Sequence, residues 1–351
     1  MLKKALFALC LAVFWSVPSH AATVGELYEA EVPVPDQSQD SYKKGLSQAL
    51  LQTLIKLSGD RGVQGRQGIS ELLNQPEQYL QQYKYRNKAI FQDNQLSLEQ
   101  QLHLWASFNA NTLDQALRNL GVPVWGRLRP ATLVWLVIDE NGQRRFVALE
   151  DDMGYTATLT SQAQSRAIPL KHPLLDAEDA SLLKAADVWG GFPDPVKLAS
   201  ARYNADAILT GSLSPNANGG WEGKWALYIQ DEPFNWTTTG TRPGEVLRGG
   251  IDNLADRLAD RYVQTAVAGQ TAGTVEIIVQ DINDFEQYAR VLKYLRTLNS
   301  VERVEVRRAE AGSVTYELAG SGDDIVIQRA IQLGRTLESL SGGGSPYRLV
   351  H

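Results

Sequence analysis

Residues 132–139 form a nearly continuous apolar run (Thr-Leu-Val-Trp-Leu-Val-Ile-Asp), and no other stretch of the chain restricts its fold so strongly. A strand with one solvated face alternates apolar and polar residues, whereas a strand covered on both faces is apolar almost throughout. The run therefore predicts a central strand in a sheet with helices packed on both faces. Asn141-Gly142 follows directly and is typical of a hairpin turn, which predicts a return strand at 144–149.

The central strand belongs to a predicted α/β domain at residues 122–268. Alternating and helical apolar spacing defines its other elements. Strands are predicted at 206–213, 221–230 and 234–239, and helices at 159–167, 177–186, 195–203 and 245–263. The sequence leaves open whether this domain packs with the preceding segment as one unit.

An amino-terminal α/β segment is predicted at residues 22–121. It begins with a strand at 27–34, followed by a helix with Asp40 as its N-cap and Gly59 as its stop. The remaining predicted elements are a short helix at 69–74, a strand at 96–109 and a helix capped by Asn111 or Thr112.

Residues 274–351 show the order strand, helix, strand, strand, helix, strand. Helices are predicted at 284–298 and 324–340, and a last strand at 347–350 follows a glycine turn. This βαββαβ order is that of a ferredoxin-like unit. The fold class is therefore predicted as α/β to α+β, with several small mixed domains and a polar linker at 269–273.

A secretory leader is predicted at the amino terminus. Lys3 and Lys4 supply a positive start, residues 5–17 are apolar, and Ala21 ends a small-residue cleavage site. The apolar run is shorter than the ~20 residues that a membrane-spanning helix needs. Residues 1–21 are therefore predicted to be a signal peptide, cleaved near Ala21, which places the mature chain in the periplasm without a membrane span.

Composition narrows the expected partners. The only cysteine, Cys10, lies in the predicted leader, so no disulfide is expected in the mature protein. The net charge is −6, and loss of the two leader lysines makes it more negative. An acidic chain lacks the clustered Lys and Arg that bind phosphate backbones, so nucleic acid is not an expected partner.

No catalytic, cofactor or metal site is predicted. The glycines of residues 59–68 follow a helix rather than a strand, and Gly68 is not followed by the Lys and hydroxyl residue of a nucleotide loop. His103, His172 and His351 are too widely spaced for a short zinc motif. A Gly-x-Ser-x-Gly nucleophile motif is also missing from the sequence.

Five residues form the candidate binding surface. Arg61 and Arg66, in the glycine loop, are predicted to accept an anion together with exposed backbone amides. Trp221, Trp225 and Trp236 lie on a predicted hairpin and have two interpretations. They either face outward, where tryptophan stacks on sugars or anchors a protein partner, or they pack in the core.

Clustered acids offer an enzymatic alternative. Residues 150–152 are Glu-Asp-Asp, and Asp176, Glu178 and Asp179 open a predicted helix. Two carboxylates at a suitable separation hydrolyse glycosidic bonds. Acids at strand ends and helix starts are also ordinary turn residues and helix caps.

Several motifs resemble a known family. They are Pro123-Val124-Trp125-Gly126-Arg127-Leu128-Arg129-Pro130, residues 169–176, Asp187-Val188-Trp189-Gly190 and residues 202–211. Together they resemble the exported proteobacterial family called domain of unknown function 2066, over most of the mature chain. The resemblance implies a family without an established activity, so it transfers no catalytic residue.

Within these motifs, a structural role is predicted for Trp125, Arg129, Trp189, Asp206 and Gly211. A glycine inside a buried strand permits a bulge or a close approach of neighbouring groups. Arg129 is expected to bind a carboxylate bidentately, that of Asp187 or of Asp206.

These observations favour a periplasmic, non-catalytic binding or scaffold protein that contacts an envelope protein. The alternative is a carboxylate-based hydrolase or a sugar-binding module that acts on envelope glycans. The sequence identifies neither the partner nor the oligomeric state.

Overall fold

The computed structural model describes residues 26–92, 95–125, 129–150, 152–229, 232–262, 273–296, 298, 301–320, 324–333, 336–341 and 344–350. The predicted leader, with Cys10 and the cleavage site, lies outside the described residues, as does nearly all of the predicted linker at 269–273. Three separate sheets organise the described chain, each with its own helices and core. The predicted multi-domain, mixed α/β fold class is confirmed. None of the described helices combines the length and apolar character required to cross a bilayer.

The first sheet is a three-stranded antiparallel sheet of order β1-β3-β2. Its elements are β1 (Glu29–Pro33), α1 (Gln39–Ser58), α2 (Ile69–Asn74), β2 (Leu80–Gln92), β3 (Gln95–Phe108) and α3 (Ala110–Asn119). Helix α1 packs through the leucines at 46, 50, 54 and 57, each 1% exposed or less. Their helical spacing is what made α1 predictable.

Two local predictions for this segment are wrong, and one strand was missed. Ser38, not Asp40, caps α1, and its hydroxyl accepts a backbone N–H at 3.3 Å. Asn109 caps α3 in place of Asn111 or Thr112. Strand β2 was not predicted, because most of its side chains are polar and exposed and its only partner is β3.

The central sheet has the order β5-β4-β7-β8-β9, and β6 pairs with β4. Its strands are β4 (Thr132–Glu140), β5 (Gln143–Phe146), β6 (Leu170–Lys171), β7 (Ala207–Pro215), β8 (Trp221–Ile229) and β9 (Glu232–Gly240). Its helices are α4 (Met153–Ser165), α5 (Ala177–Leu182), α6 (Ala185–Gly190), α7 (Pro193–Ser200) and α8 (Pro243–Tyr262). Strands β4 and β7 are parallel, and the β7–β8 and β8–β9 pairs are antiparallel.

Strand β4 is covered on both faces, as its apolar run predicts. Val134, Leu136 and Ile138 enter the core shared with α4 and α8. Leu133, Trp135 and Val137 enter a second core, shared with α6 and α7. Successive side chains of a strand point to opposite faces, so residues 133–138 of β4 each face one of the two cores.

The third sheet has the order β11-β12-β10-β14-β13. Its elements are β10 (Gly273–Ile282), α9 (Phe285–Leu295), β11 (Val301–Glu310), β12 (Gly312–Gly320), α10 (Asp324–Leu333), β13 (Leu337–Ser339) and β14 (Tyr347–Leu349). The first five elements follow the predicted split βαβ order, with β12 antiparallel to both β10 and β11.

The end of this unit differs from the prediction. The second helix was predicted to reach residue 340, but α10 ends at Leu333 and β13 follows at Leu337–Ser339. Strand β14 then returns beside β10 and runs parallel to it. Residues that the prediction assigned to the helix instead form β13, which pairs antiparallel with β14.

Candidate functional site

The three tryptophans of the predicted binding surface lie on the hairpin of β8 and β9, and their exposure differs. Trp225 is 2% exposed, and its indole Nε1 donates to Thr238 Oγ1 at 2.9 Å. Its ring stacks on that of Trp236, with centroids 6.5 Å apart. Trp221 and Trp236 are partly buried against the same core. Trp225 is therefore a core residue, as one of the two interpretations expected.

Two glycines shape the slot that holds the Trp225 ring. A Cβ built on Gly250 of α8 would lie 2.2 Å from Trp225 Cζ2, and one on Gly211 of β7 would lie 2.6 Å from Cζ3. Carbon atoms in favourable contact are about 3.5–4.0 Å apart. Neither position has space for a side chain, which gives Gly211 of the sequence motif a structural role.

The outer part of the same hairpin is accessible. Strand β9 ends the central sheet and pairs only with β8 among the described strands. Asn235, Thr237 and Thr239 are exposed along it, and Phe234 is 37% exposed. An edge strand presents a row of backbone N–H and C=O groups that another chain can pair with.

The Arg257 guanidinium, on α8, lies over two aromatic rings of β9. Its Cζ atom is 5.0 Å from the ring centroid of Trp236 and 6.0 Å from that of Phe234. Arg257 Nε and Trp236 Nε1 are buried donors without a hydrogen-bond acceptor in the described structure. We call strand β9, with Phe234, Trp236 and Arg257, the β9 edge.

The second predicted surface, the glycine loop after α1, turns towards α8. Gly59 ends α1 in the left-handed conformation, as predicted. The prediction required exposed backbone amides to bind the anion. Several of these amides instead donate hydrogen bonds to acceptors within the loop. The N–H of Gly62 donates to Asp60 Oδ1 at 2.7 Å, and that of Asp60 donates to Ser58 Oγ at 3.1 Å.

Both loop arginines are paired with carboxylates. Arg61 lies 2.6 Å from Asp256 Oδ2, and Arg66 lies 2.9 Å from Asp60 Oδ2. A cleft of about 530 Å³ lies between the loop and α8 and includes these four residues and Asp260 in its lining. The arginines are half-exposed, and each already binds a carboxylate, which lowers the positive charge offered to an anion.

A buried arginine that the sequence did not single out joins the loop to α8. The Arg166 side chain is 3% exposed. Its Nη1 donates to Asp252 Oδ1 at 2.8 Å, and its Nη2 donates to Asp256 Oδ1 at 2.7 Å and to the Gly59 carbonyl at 2.9 Å. Because Arg61 also binds Asp256, the two arginines and two aspartates form one ionic network between the first segment and the central domain.

A second joint between these segments is built from sequence-motif residues. The Arg129 guanidinium lies 3.8 Å from the ring centroid of Trp125. Its Nη2 donates to the carbonyls of Lys56 at 2.8 Å and of Trp125 at 2.9 Å. Complete burial lowers the pKa of Arg129 well below its usual range. The backbone of Trp125 also bonds the carbonyl of Leu57, at 2.5 Å.

The expected pairing of Arg129 with Asp187 or Asp206 is wrong. The Asp187 carboxylate instead accepts the N–H of Lys184 at the start of α6, at 2.8 Å. Asp206 Oδ2 accepts the N–H of Ala131, also at 2.8 Å, before the parallel pair of β4 and β7 begins. Trp189 of the same motif set lies under the Arg144 guanidinium, whose Cζ is 4.2 Å from the centroid of the Trp189 ring.

Three acids of the predicted clusters, Asp152, Asp176 and Asp179, are bound by arginines or lie at helix starts, and Asp151 lies outside the described residues. Asp152 accepts both Nη1 and Nη2 of Arg145, at 2.7 and 2.9 Å. Asp176 caps α5 and accepts Arg202 bidentately, and the hydrogen bond from Arg202 lowers the pKa of this carboxyl well below its usual range. Asp179 is buried and accepts the phenol of Tyr203. These arrangements correspond to the structural interpretation of the acids.

The histidines of the described chain lie in different elements. His103 is on β3, His172 follows β6, and His351 lies outside the described residues. In the part of the chain that the structure describes, no group of three or more His, Cys, Asp or Glu side chains is placed to hold a metal ion. His172 Nε2 is 3.1 Å from Thr160 Oγ1, and burial lowers the pKa of its imidazole.

We expect His172 to make the protein less stable at acidic pH. Since its folded pKa lies below the ordinary value of about 6.5, the unfolded chain binds this proton more tightly. The stability contributed by the neutral ring is present above pH ~6.5 and is lost as the pH falls through the folded pKa. Urea unfolding at pH 7 and pH 5 should show a smaller loss of stability in His172→Gln than in the unchanged protein. Equal losses in both would contradict the expectation.

Comparison with known proteins gives one family match, to a domain of unknown function (DUF8605), over residues 21–126. No curated protein matches the chain. A crystal structure of a protein described only as uncharacterized aligns with 38% of this chain and 91% of its own, at 11% identity and a TM-score of 0.18. A likeness this low supports no conclusion about fold or function.

The family prediction is thereby corrected in part. The match is to an uncharacterised family, as the resemblance implied, but to DUF8605 and not to domain of unknown function 2066. Nearly all of the motifs that carried the resemblance lie after residue 126, beyond the matched range.

Proposed function

We propose that this chain is an exported, periplasmic protein that binds another protein of the cell envelope and does not itself catalyse a reaction. Export rests on the leader predicted at residues 1–21. For the residues after 126, we also propose the relationship to domain of unknown function 2066 that the motifs indicate. That family has no established activity, so it adds no reaction to the proposal.

The β9 edge is the observation that carries the binding function. Strand β9 presents nine residues at the border of the central sheet, and one of them, Phe234, is an exposed aromatic residue. Exposed sheet edges are a recurrent mode of protein recognition, because backbone hydrogen bonds provide affinity and alternate side chains provide specificity.

Cross-linking in intact cells tests this function. The full chain would be tagged at its carboxyl end and cross-linked, and the captured proteins identified with and without the cross-linker. We expect one dominant envelope protein, recovered from the periplasmic fraction. Substitutions in the β9 edge should lower the amount captured, whereas Lys44→Ala at an exposed position of α1 should not. Recovery of the chain without any specific protein, or from the cytoplasm alone, would contradict the proposal.

The alternative, a carboxylate-based hydrolase or a sugar-binding module for envelope glycans, has one observation in its favour. Asp60, Asp256 and Asp260 line the cleft beside the glycine loop. Against it, Asp60 and Asp256 are paired with Arg66 and Arg61, and Trp225 is inaccessible. Incubation with purified envelope glycans, followed by product analysis and a binding assay, distinguishes the two functions. Cleavage or binding that Asp256→Asn abolishes would favour the alternative.

A further inference from the structure

We infer that the β9 edge accepts an extended protein segment that carries an acidic side chain, and that this carboxylate pairs with Arg257. The segment would add to the central sheet as a further strand beside β9. The inference rests on the proposed binding function and specifies the surface and the chemistry of the partner.

Most of strand β9 lacks charged side chains. Residues 233–240 of β9 (Pro-Phe-Asn-Trp-Thr-Thr-Thr-Gly) contain no charged side chain. Other border strands of the described sheets are charged: β1 has Glu29 and Glu31, β2 has Lys84, Arg86 and Lys88, β5 has Arg144 and Arg145, and β11 has Arg303, Glu305, Arg307 and Arg308. Charged side chains protect an edge against pairing with another chain. Beyond its first residue, Glu232, strand β9 lacks this protection while remaining exposed.

Arg257 has no ion-pair partner among the described residues. Within the described structure its guanidinium has no carboxylate at ion-pair distance, whereas Arg145, Arg166 and Arg202 of the same domain each bind at least one. Its contacts are the rings of Trp236 and Phe234, which stabilise a cation but satisfy no N–H group. An arginine in this setting is available to a carboxylate in the bidentate geometry that guanidinium groups favour.

Arg257 lies on the face of the sheet where a strand added beside β9 would place half of its side chains. Phe234 and Trp236 are two residues apart on β9, so their side chains are on the same face of the sheet, the face that α8 covers. A strand added beside β9 would place alternate side chains on this face, next to the aromatic pair. An acidic residue at one of these positions would lie beside the Arg257 guanidinium.

The same geometry disfavours a second copy of the chain as the occupant. Two copies paired antiparallel through β9 would carry both α8 helices on the same face of the joined sheet. Both Arg257 side chains would then lie near the junction, where their like charges repel each other. A segment of opposite charge removes this repulsion.

Binding of designed peptides to the full-length mature protein tests the inference. The probes are fluorescent peptides of alternating threonine and valine with a central aspartate, a matched set with a central lysine, and the aspartate set with N-methylated backbone positions. We expect the aspartate peptide to bind on the order of tenfold more tightly than the lysine peptide at low salt, and the N-methylated peptide to lose binding. Hydrogen exchange should slow at residues 233–240 of the protein when the aspartate peptide is bound.

Variants of α8 provide the controls. Arg257→Glu should reverse the order of the two peptides, and Arg257→Gln should make them equal. Arg248→Glu makes the same charge change at an exposed position of the same helix and should leave the preference unchanged. Thermal unfolding of each variant establishes that it is folded.

Equal binding of the aspartate and lysine peptides, or no change in their order in a folded Arg257→Glu variant, would overturn the inference. Concentration-dependent self-association that the aspartate peptide inhibits would also overturn it, in favour of a second copy. Failure of the peptide test would leave the proposed function standing if the cellular cross-link still identifies a partner. If only the cross-link fails, the proposed cellular function is rejected, but the measured preference of the β9 edge for an acidic peptide stands.

Discussion

Replacement of Arg166 by alanine is expected to lower the free energy of unfolding by about 3 kcal/mol. The side chain is 3% exposed and donates to two aspartates of α8 and to the Gly59 carbonyl. Its loss leaves the partly buried carboxylates of Asp252 and Asp256 without one of their cationic partners. The expected loss is near the lower end for a broken buried pair, because Arg61 still neutralises Asp256 and the aspartates are 18% and 34% exposed.

Urea unfolding followed by circular dichroism measures this effect. Arg242→Ala is the matched control, since Arg242 is 67% exposed and its pair with Glu245 should contribute less than about 1 kcal/mol. Arg166→Lys should restore little of the lost stability, because an ammonium group cannot reproduce the fork geometry that bridges two carboxylates. A loss below about 1 kcal/mol for Arg166→Ala, on the scale of exposed pairs, would show that the network does not join the two segments energetically.

The second large effect is expected for Trp225→Ala, which should destabilise the protein by about 3–5 kcal/mol. The indole fills the slot between Gly211 and Gly250 and contributes to the core of α4, α8 and the central sheet. Alanine would leave a cavity there and would also remove the donor to Thr238 Oγ1. Since glycine backbones form two walls of the slot, the surrounding side chains have little freedom to close it.

Trp221→Ala is the control for this prediction. Trp221 starts the same strand and is only partly buried, so the same change in chemistry should cost much less. Urea unfolding of both variants by circular dichroism gives the comparison. Similar losses at the two positions would mean that burial in the slot is not what makes Trp225 important.

Part of the candidate site was predictable from the sequence. The hairpin of residues 221–239 follows from alternating apolar residues, but the core position of Trp225 was only one of two interpretations. Arg61 and Arg66 were found through the glycines around them, but their partner Asp256 lies on a helix far along the chain. Arg257 gave no signal, because nothing local distinguishes an arginine with a carboxylate partner from one without.

Elements with a local cause were predictable from the sequence. The apolar run of β4, the leucine stripe of α1 and the turn at Asn141-Gly142 each follow from periodicity or from backbone preference, and the structure has all three. Tertiary structure alone decided which groups meet. Arg129 binds carbonyls in place of the predicted carboxylates, Arg166 joins two segments, and β9 becomes a sheet border. These outcomes depend on strand order and on helix placement, which bring together residues that local spacing leaves unrelated.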